Sequence, residues 1–197
     1  PAPCCPPAGG EPVDRHQDMP RVVLVGNPNV GKSTLFNSMT GARNHVGNWP
    51  GKTVQVASGR WIIGTGPVAV TDLPGTYSLV PRSPDEELVR DVLTGRDPDR
   101  RPDLVVAVLD AANLARNLYL LNQVLDTGLP VVVALTMVDV AADRGVSVNQ
   151  EALARRLGVP VVRVRPRAGE RPARLAAAVA KALGSAQAGQ RAQAGQR

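Results

Sequence analysis

A short glycine-containing segment constrains this chain more than any other part of it. Residues 26–33 read Gly-Asn-Pro-Asn-Val-Gly-Lys-Ser; they follow the apolar run 22–25 and lead into a helix predicted over 33–40. Glycines let the turn point successive N–H groups inward, and the start of the helix adds a positive field that suits phosphate oxygens. Lys32 supplies a charge for the outer phosphates, and the Ser33 hydroxyl can ligate Mg²⁺. The sequence therefore predicts a nucleotide-phosphate site.

Composition excludes several classes of protein. Of the 197 residues, 43% are hydrophobic, and no run approaches the roughly 18 consecutive apolar residues of a membrane span. Lys and Arg exceed Asp and Glu by 23 to 17, but aromatic residues make up only 3%, too few for platforms on which bases stack. We therefore interpret the charge of +6 as an arginine-rich composition and expect no nucleic-acid partner.

Both ends of the chain lack the pattern of a folded core. The proline-rich start holds both cysteines, Cys4 and Cys5, and adjacent cysteines cannot close a disulfide across a fold, which favours a reducing, cytoplasmic setting. Residues 186–191 repeat identically as 192–197, which is typical of a low-complexity tail. The predicted units are a disordered arm over 1–20, a folded domain over 21–184 and a low-complexity tail over 185–197.

Apolar, β-branched runs alternate with helical stretches inside the predicted domain. The predicted strands are 21–25, 53–60, 67–71, 104–109, 130–135 and 160–164. The predicted helices are 33–40, 84–94, 113–126, 148–157 and 171–183. This alternation predicts an α/β fold, with a mostly parallel six-stranded sheet, helices on both faces and a ligand at the carboxyl ends of the strands.

A second candidate stretch, Asp72-Leu73-Pro74-Gly75, ends the strand predicted over 67–71. An aspartate there can hold Mg²⁺ through a water molecule, opposite Ser33. Gly75 can offer its N–H to a terminal phosphate because no side chain stands in the way. Taken alone, such a motif is commonly only a turn.

A third stretch, residues 47–53, forms a predicted loop between the first helix and the second strand. The Thr53 hydroxyl can complete the Mg²⁺ shell when a third phosphate is bound. The alternative is an ordinary connection with a threonine at the strand entry, and the residues alone leave both readings open.

A fourth stretch, Thr136-Met137-Val138-Asp139, follows the fifth predicted strand. The Asp139 carboxylate can accept hydrogen bonds from the N1–H and the 2-amino group of guanine, which adenine lacks. The alternative is an aspartate that caps a turn.

The predicted site residues stand in an order that resembles a Ras-like P-loop GTPase, or G domain: the phosphate loop, Thr53, Asp72 with Gly75, and Asp139. Two longer stretches are similar more narrowly to the G domain of the ferrous iron transport protein B family (FeoB). They are residues 45–54, His-Val-Gly-Asn-Trp-Pro-Gly-Lys-Thr-Val, and 72–79, Asp-Leu-Pro-Gly-Thr-Tyr-Ser-Leu. The resemblance runs over about residues 21–183 and its two long stretches are specific to that family.

The resemblance implies GTP or GDP as the ligand, with Mg²⁺ held directly by Ser33 and Thr53 and through water by Asp72. It also implies K⁺ beside the phosphates, as in potassium-activated members, held by Asn29 and the carbonyls of Gly47 and Trp49. The implied catalytic residues are Asn29, Lys32, Thr53 and Gly75. The implied nucleotide-binding residues are Gly26, Asn27, Pro28, Asn29, Val30, Gly31, Lys32, Ser33, Thr34, Gly51, Thr53, Asp72, Leu73, Pro74, Gly75, Thr136, Met137, Asp139, Arg165 and Pro166.

Two departures from the family pattern fall at the base end of the site. The family has asparagine where this chain has Thr136, and threonine can make only part of the bracing that the asparagine amide gives the phosphate loop. The family also has a Ser-Ala pair where Arg165-Pro166 aligns, and proline has no N–H to donate to guanine O6. One such bond is worth about 0.5–1.5 kcal/mol, so we expect weaker nucleotide retention and a looser guanine preference.

The resemblance implies a G domain that hydrolyses GTP slowly, because Thr76 stands where Ras carries its water-orienting glutamine. It would regulate ferrous iron transport at the cytoplasmic face of the membrane, with a membrane transport domain as its partner. Two alternatives stay open: a degenerate nucleotide-sensing module with little turnover, and a ribosome- or RNA-associated GTPase. Homo-oligomerisation is also open.

Overall fold

The computed structural model describes residues 19–41, 44–96, 100–166 and 172–194. The predicted disorder of residues 1–18, which include Cys4 and Cys5, lies outside these ranges. So do the last three residues of the predicted tail.

Strands and helices alternate along the described chain much as predicted. The strands are β1 (Arg21–Gly26), β2 (Asn44–Asn48), β3 (Gln55–Ile63), β4 (Gly66–Asp72), β5 (Leu104–Asp110), β6 (Val131–Thr136) and β7 (Val161–Arg163). The helices are α1 (Lys32–Thr40), α2 (Pro84–Thr94), α3 (Leu114–Asp126), α4 (Val138–Asp143), α5 (Gln150–Leu157) and α6 (Ala173–Ala194). A 3₁₀ turn over Ala111–Asn113 precedes α3.

The strands form one sheet in the order β2-β3-β4-β1-β5-β6-β7. β1 pairs in parallel with β4 and β5, β6 pairs in parallel with β5 and β7, and β3 runs antiparallel to β2 and β4. Leu24 pairs with Asp72, and Gly26 pairs with Val108, so the ends of β1, β4 and β5 meet at one edge. The predicted mostly parallel α/β fold is confirmed.

The predicted number of strands is wrong, because the sheet has seven strands and not six. The additional strand, β2, lies in a segment for which the sequence predicted a loop. Four of its five residues are exposed, and Val46, its one large apolar side chain, is 62% exposed. β2 is an edge strand that pairs in the sheet with β3, and its residues show no alternation of apolar and polar side chains from which a strand could be predicted.

The sheet separates two hydrophobic layers. One layer packs α2 and α3 against the face that carries Val23 and Val25. The other packs α1 and α6 against the opposite face, with Leu24 and the fully buried Trp61. Successive residues of β1 thus point to opposite layers, as a strand covered on both sides requires. Packing on both faces holds the sheet in position. The candidate site lies at the edge where its parallel strands end.

Several helix boundaries differ from the predicted ones. α2 begins as predicted, with the Ser83 hydroxyl accepting a hydrogen bond from Glu86 N–H. α5 begins at Gln150 rather than at residue 148, because the Asn149 side chain caps its first turn. The short α4 was not predicted. α6 continues to Ala194, into the predicted low-complexity tail, because alanine, glutamine and arginine are strong helix formers. No described helix is both long enough and apolar enough to cross a membrane.

Candidate nucleotide-binding site

The phosphate loop runs from the end of β1 to the start of α1. A Cβ atom at Gly26 would lie 2.5 Å from the carbonyl oxygen of Val108, so only glycine fits where β1 meets β5. Asn29 and Gly31 have φ angles of 63° and 83°, in the left-handed region that turns the chain back into the helix. The Gly31 carbonyl accepts the N–H of Leu35 and begins α1. The loop has the tight turn that the motif predicted.

Lys32, Ser33 and Asp72 converge beside this loop. Lys32 Nζ lies 2.6 Å from Asp72 Oδ1 and also donates to the carbonyl of Leu73. Ser33 Oγ donates to Asp72 Oδ2 at 2.9 Å. The Lys32 and Asp72 side chains are 10% and 9% exposed, which strengthens their attraction relative to a surface pair. The predicted phosphate-binding lysine and two of the three predicted Mg²⁺ ligands, Ser33 and Asp72, therefore share one small cluster, whose oxygen donors fit a hard cation.

The loop after β4 packs directly on the phosphate loop. Thr76 N–H donates to the Gly26 carbonyl at 3.2 Å. A Cβ atom at Gly75 would lie 3.1 Å from the backbone N and Cα of Pro28. Glycine at position 75 is therefore what allows the two loops to approach this closely.

Asn27 is the one described residue with buried side-chain polar atoms that lack a hydrogen-bond partner. It is 3% exposed, and neither its amide nitrogen nor its amide oxygen has a partner within the described residues. Leaving such a group unsatisfied costs about 1–3 kcal/mol, so an amide of this kind usually signals a missing partner. Its place in the phosphate loop agrees with a site completed by a ligand. The motif marked Asn27 only as a loop residue.

Thr136 supports the phosphate loop through its side-chain hydroxyl. Its hydroxyl lies 2.7 Å from the carbonyl oxygen of Val30 and 2.9 Å from that of Leu109, and the side chain is buried. A hydroxyl carries one proton, so it donates fully to only one of these carbonyls at a time. The bracing contact that the sequence predicted for this position is therefore present, in its reduced form.

The base end of the site is open to solvent. Asp139, in α4, is exposed, and the one hydrogen bond that its carboxylate accepts from the described residues comes from the N–H of Val140, at 3.0 Å. The backbone of Val164 bonds to Leu135, so Arg165 and Pro166 follow at the edge where β6 ends. The structure thus brings Pro166 to the same edge as Asp139. Residues 168–170, used to align the proline, lie outside the described residues.

The segment with Thr53 makes no described hydrogen bond to this cluster. Residues 49–52 form a type II turn, with Pro50 and Gly51 at its corner and Lys52 N–H bonded to the Trp49 carbonyl at 2.9 Å. Thr53 follows the turn and is exposed. Gly47 pairs with Val56 in the sheet. The described hydrogen bonds of this segment run to β3, α2 and Arg100 rather than to Asn29, so the K⁺ site stays a prediction.

The share of the chain that matches a known protein family shows which proteins it is related to. Residues 20–179 match the sequence model of a family described as ferrous iron transport protein B. The chain belongs to this family. The FeoB family thus accounts for the stretches 45–54 and 72–79, which are more specific than a phosphate loop.

Individual FeoB relatives support the same assignment. The chain is 46% identical over 150 residues to the Fe(2+) transport protein A/Fe(2+) transporter FeoB fusion protein of Porphyromonas gingivalis, covering 76% of this chain and 17% of that protein. The cytosolic domain of L. pneumophila FeoB superposes with a TM-score of 0.75 at 40% identity, covering 82% of this chain and 68% of that one. A mutant of S. thermophilus NFeoB bound to GDP gives 0.72 at 42%, covering 84% and 62%.

These matches identify the fold as that of the FeoB G domain, a P-loop GTPase fold. The chain spans less than a fifth of the P. gingivalis protein, at 17% of its length. The likeness therefore concerns one domain of longer relatives.

Proposed function

We propose that this chain is a G domain that binds GTP and GDP with Mg²⁺ and hydrolyses GTP slowly. The observation that carries the proposal is the convergence of Lys32 and Ser33 on Asp72, beside a loop with the shape for phosphate. The relatives add that an S. thermophilus FeoB domain has been solved with GDP bound.

Phosphate binding would replace one anion by another at Lys32. In the free protein, Asp72 neutralises the lysine, so the buried ammonium is never left without a partner. Nucleotide phosphates would draw Lys32 Nζ away from Asp72 and release one carboxylate oxygen. That oxygen would then hold Mg²⁺ through water, while Ser33 Oγ would contribute a direct ligand. When bound, Mg²⁺ would neutralise negative charge that builds up on the phosphates.

Hydrolysis would depend on backbone groups rather than on a side chain acting as a base. Gly75 lies against Pro28 of the phosphate loop, where its N–H can be directed at a terminal phosphate. Thr53 would have to move in from its exposed position to reach the metal. With no glutamine after Gly75 to orient water, turnover would be slow. K⁺ held by Asn29 would accelerate it, provided that Gly47 and Trp49 rearrange with Thr53.

By relation to FeoB, the domain would regulate ferrous iron transport at the cytoplasmic face of a membrane, through a transport domain. Loss of the terminal phosphate would release Thr53 and Gly75, and residues 42–53 and 73–83 would relax. The open base end favours a second candidate, a nucleotide sensor with little turnover, because Pro166 offers guanine no N–H.

The test is GTP and ATP turnover in K⁺ and in Na⁺ with Mg²⁺, together with the dissociation constant for GDP. We expect slow GTP hydrolysis that is faster in K⁺, and loss of the K⁺ effect in Asn29→Ala. Tight binding without turnover in either salt would favour the sensor. A protein that binds neither nucleotide would overturn both.

A further inference from the structure

A cluster of charged residues joins the Thr53 segment to helix α2. Lys52 Nζ lies 2.7 Å from Asp91 Oδ2 and 4.0 Å from Glu87 Oε2. The Lys52 and Asp91 side chains are 28% and 19% exposed, so water screens this pair only in part. Lys52 immediately precedes Thr53, and α2 follows the Gly75 loop. The pair therefore connects the segment 42–53, which the proposed function requires to move, to the helix that follows the second such segment, 73–83.

Arg100, which follows α2 in the chain, makes a second contact with the same turn. The Arg100 guanidinium donates to the Pro50 carbonyl at 3.3 Å. It also lies 5.8 Å from the centre of the Trp49 ring, within the range of a cation–π contact. The turn is thus attached at Lys52 and at its Trp49-Pro50 end.

Apolar packing holds this turn only weakly. A groove of about 800 Å³ lies beside it, lined in part by Trp49, Pro50 and Arg100 and by Val56 and Thr71 of the sheet. Trp49 is the residue of the turn that packs against the hydrophobic layer. A segment with so few packed side chains depends on its polar contacts for its position.

Two backbone hydrogen bonds tie the turn to the residues on either side of Thr53. Lys52 N–H bonds to the Trp49 carbonyl, and Trp49 N–H bonds to the carbonyl of Val54 at 2.7 Å, which encloses Thr53. Because Lys52 is bonded directly to Thr53 in the chain, a displacement of Thr53 also displaces Lys52 relative to Asp91.

We propose that Lys52 and Asp91 form an ionic latch that holds the Thr53 turn on α2 and opens when a third phosphate draws Thr53 to the metal. The latch rests on the proposed function and adds its regulation. Opening the latch costs free energy, and this cost weakens the binding of GTP. GDP binding carries no such cost, because it needs no contact with Thr53. The latch therefore favours the diphosphate state.

The surroundings of Asp91 make the latch reversible. Arg90 lies 2.7 Å from Asp91 Oδ1, and Arg96 lies 3.7 Å from the same oxygen. When Lys52 leaves, the carboxylate keeps these arginine partners and is not left as an unpaired charge. The lysine moves towards solvent, where it is readily hydrated. Both positions of the turn are thus accessible.

The first test compares Lys52→Gln with Lys181→Gln, a change at an exposed lysine of α6 on the other side of the sheet. We expect Lys52→Gln to shift the ratio of GDP to GTP-analogue affinity about two- to fivefold towards the GTP analogue. Raising choline chloride from about 0.05 M to about 0.5 M, at constant K⁺, should shift the wild type the same way and leave Lys52→Gln unchanged. The charge-conserving change Lys52→Arg should leave the ratio close to that of the wild type.

The second test reads the position of the turn without nucleotide. The chain has two tryptophans, and Trp61 is 1% exposed, so acrylamide quenching reports mainly on Trp49. We expect stronger quenching in Lys52→Gln than in the wild type and in Lys181→Gln.

The outcomes separate the latch from the proposed function. Equal quenching in all three proteins would overturn the latch, whether or not nucleotide binds. Stronger quenching with an unchanged affinity ratio would also overturn it, because the contact would then not regulate the site. A wild type that binds no nucleotide would overturn the proposed function itself.

Discussion

The two ends of the candidate nucleotide site are built in different ways. At the phosphate end, Lys32 and Asp72 form an almost buried pair, and Gly26 leaves no room for a side chain. At the base end, Asp139 and Arg165 are exposed. The described hydrogen bond of the Asp139 carboxylate is with the adjacent residue, Val140. Thr136 connects the ends by bonding to the phosphate loop.

This difference indicates how each end tolerates change. The phosphate end depends on close backbone approach at Gly26 and on the buried charge of Lys32, so a substitution of either residue disturbs folding as well as the site. The base end depends on separate hydrogen bonds, each worth a modest free energy. The two departures from the family pattern, at Thr136 and Pro166, both lie at or next to the end where single losses cost least.

Lys32→Met tests whether the phosphate end depends on its buried charge. It removes a charged donor to phosphate and leaves the Asp72 carboxylate without its cation, so we expect GDP affinity to fall about 100-fold. Breaking a buried pair should also destabilise the free protein by about 3 kcal/mol. Calorimetric titration and urea unfolding measure the two effects. Lys181→Met is the control, and a Lys32 variant that still bound GDP normally would remove the distinction between the ends.

Gly26→Ala tests the backbone approach. Its Cβ would meet the Val108 carbonyl at 2.5 Å, and neither backbone can yield easily, so we expect a loss of about 1–3 kcal/mol in the free energy of unfolding. Gly184→Ala is the matched control, because a Cβ there has nothing within 4 Å. In a helix, that change should stabilise by about 0.5–1 kcal/mol. Equal effects at the two glycines would show that β1 and β5 are not tightly apposed.

Asn27→Ala tests whether the phosphate end awaits its ligand. Removing an unpartnered buried amide removes a penalty of about 1–3 kcal/mol, partly offset by the cavity. We expect no loss of stability in the free protein but a smaller rise in melting temperature on adding GDP. The control is Ser38→Ala, which removes a buried hydroxyl that already donates to the Leu35 carbonyl and so should only destabilise. A clear loss of stability in Asn27→Ala would contradict this account.

Pro166→Ala tests whether the base end lacks a hydrogen-bond donor to guanine. An alanine restores a backbone N–H where guanine O6 would lie, so we expect GDP to bind up to about tenfold more tightly. The affinity for ADP should not increase, because adenine has no acceptor there. Equal GDP affinity before and after the change would mean that this position does not read the base.

The buried central strands and the phosphate-binding motifs were the parts that the sequence predicted best. β1, β5 and β6 were predicted to within one residue at each end, because strands covered on both faces need uninterrupted apolar runs. The motifs placed Lys32 and Asp72 together, because each motif is tied to the end of a strand and parallel strands end at one edge.

Other contacts had no sequence signal. The exposed strand β2 lacked periodicity. Lys52 and Asp91 are 39 residues apart and belong to no shared motif, so their contact depends on how α2 packs. Whether the amide of Asn27 has a partner is likewise decided by packing.

The smallest expected effect is the response of the latch to pH. Burial raises the pKa of Asp91, but hydrogen bonds from Lys52 and Arg90, together with their charges, outweigh it, so the pKa lies below the ordinary 3.8. Glu87 and Arg96 are the other charged groups of the cluster. Because the folded pKa is lowered, the stabilisation is complete above the ordinary pKa and is lost as the pH falls through the folded pKa.

We therefore expect the latch to stay closed from about pH 8 to about pH 5 and to open only in stronger acid. Acrylamide quenching of Trp49 should be flat over the neutral range and rise below it in the wild type. In Asp91→Asn, quenching should start higher and show a smaller rise, because no carboxylate remains to be protonated at that position. A transition at the same pH in both proteins would overturn this expectation. The latch would then not depend on Asp91.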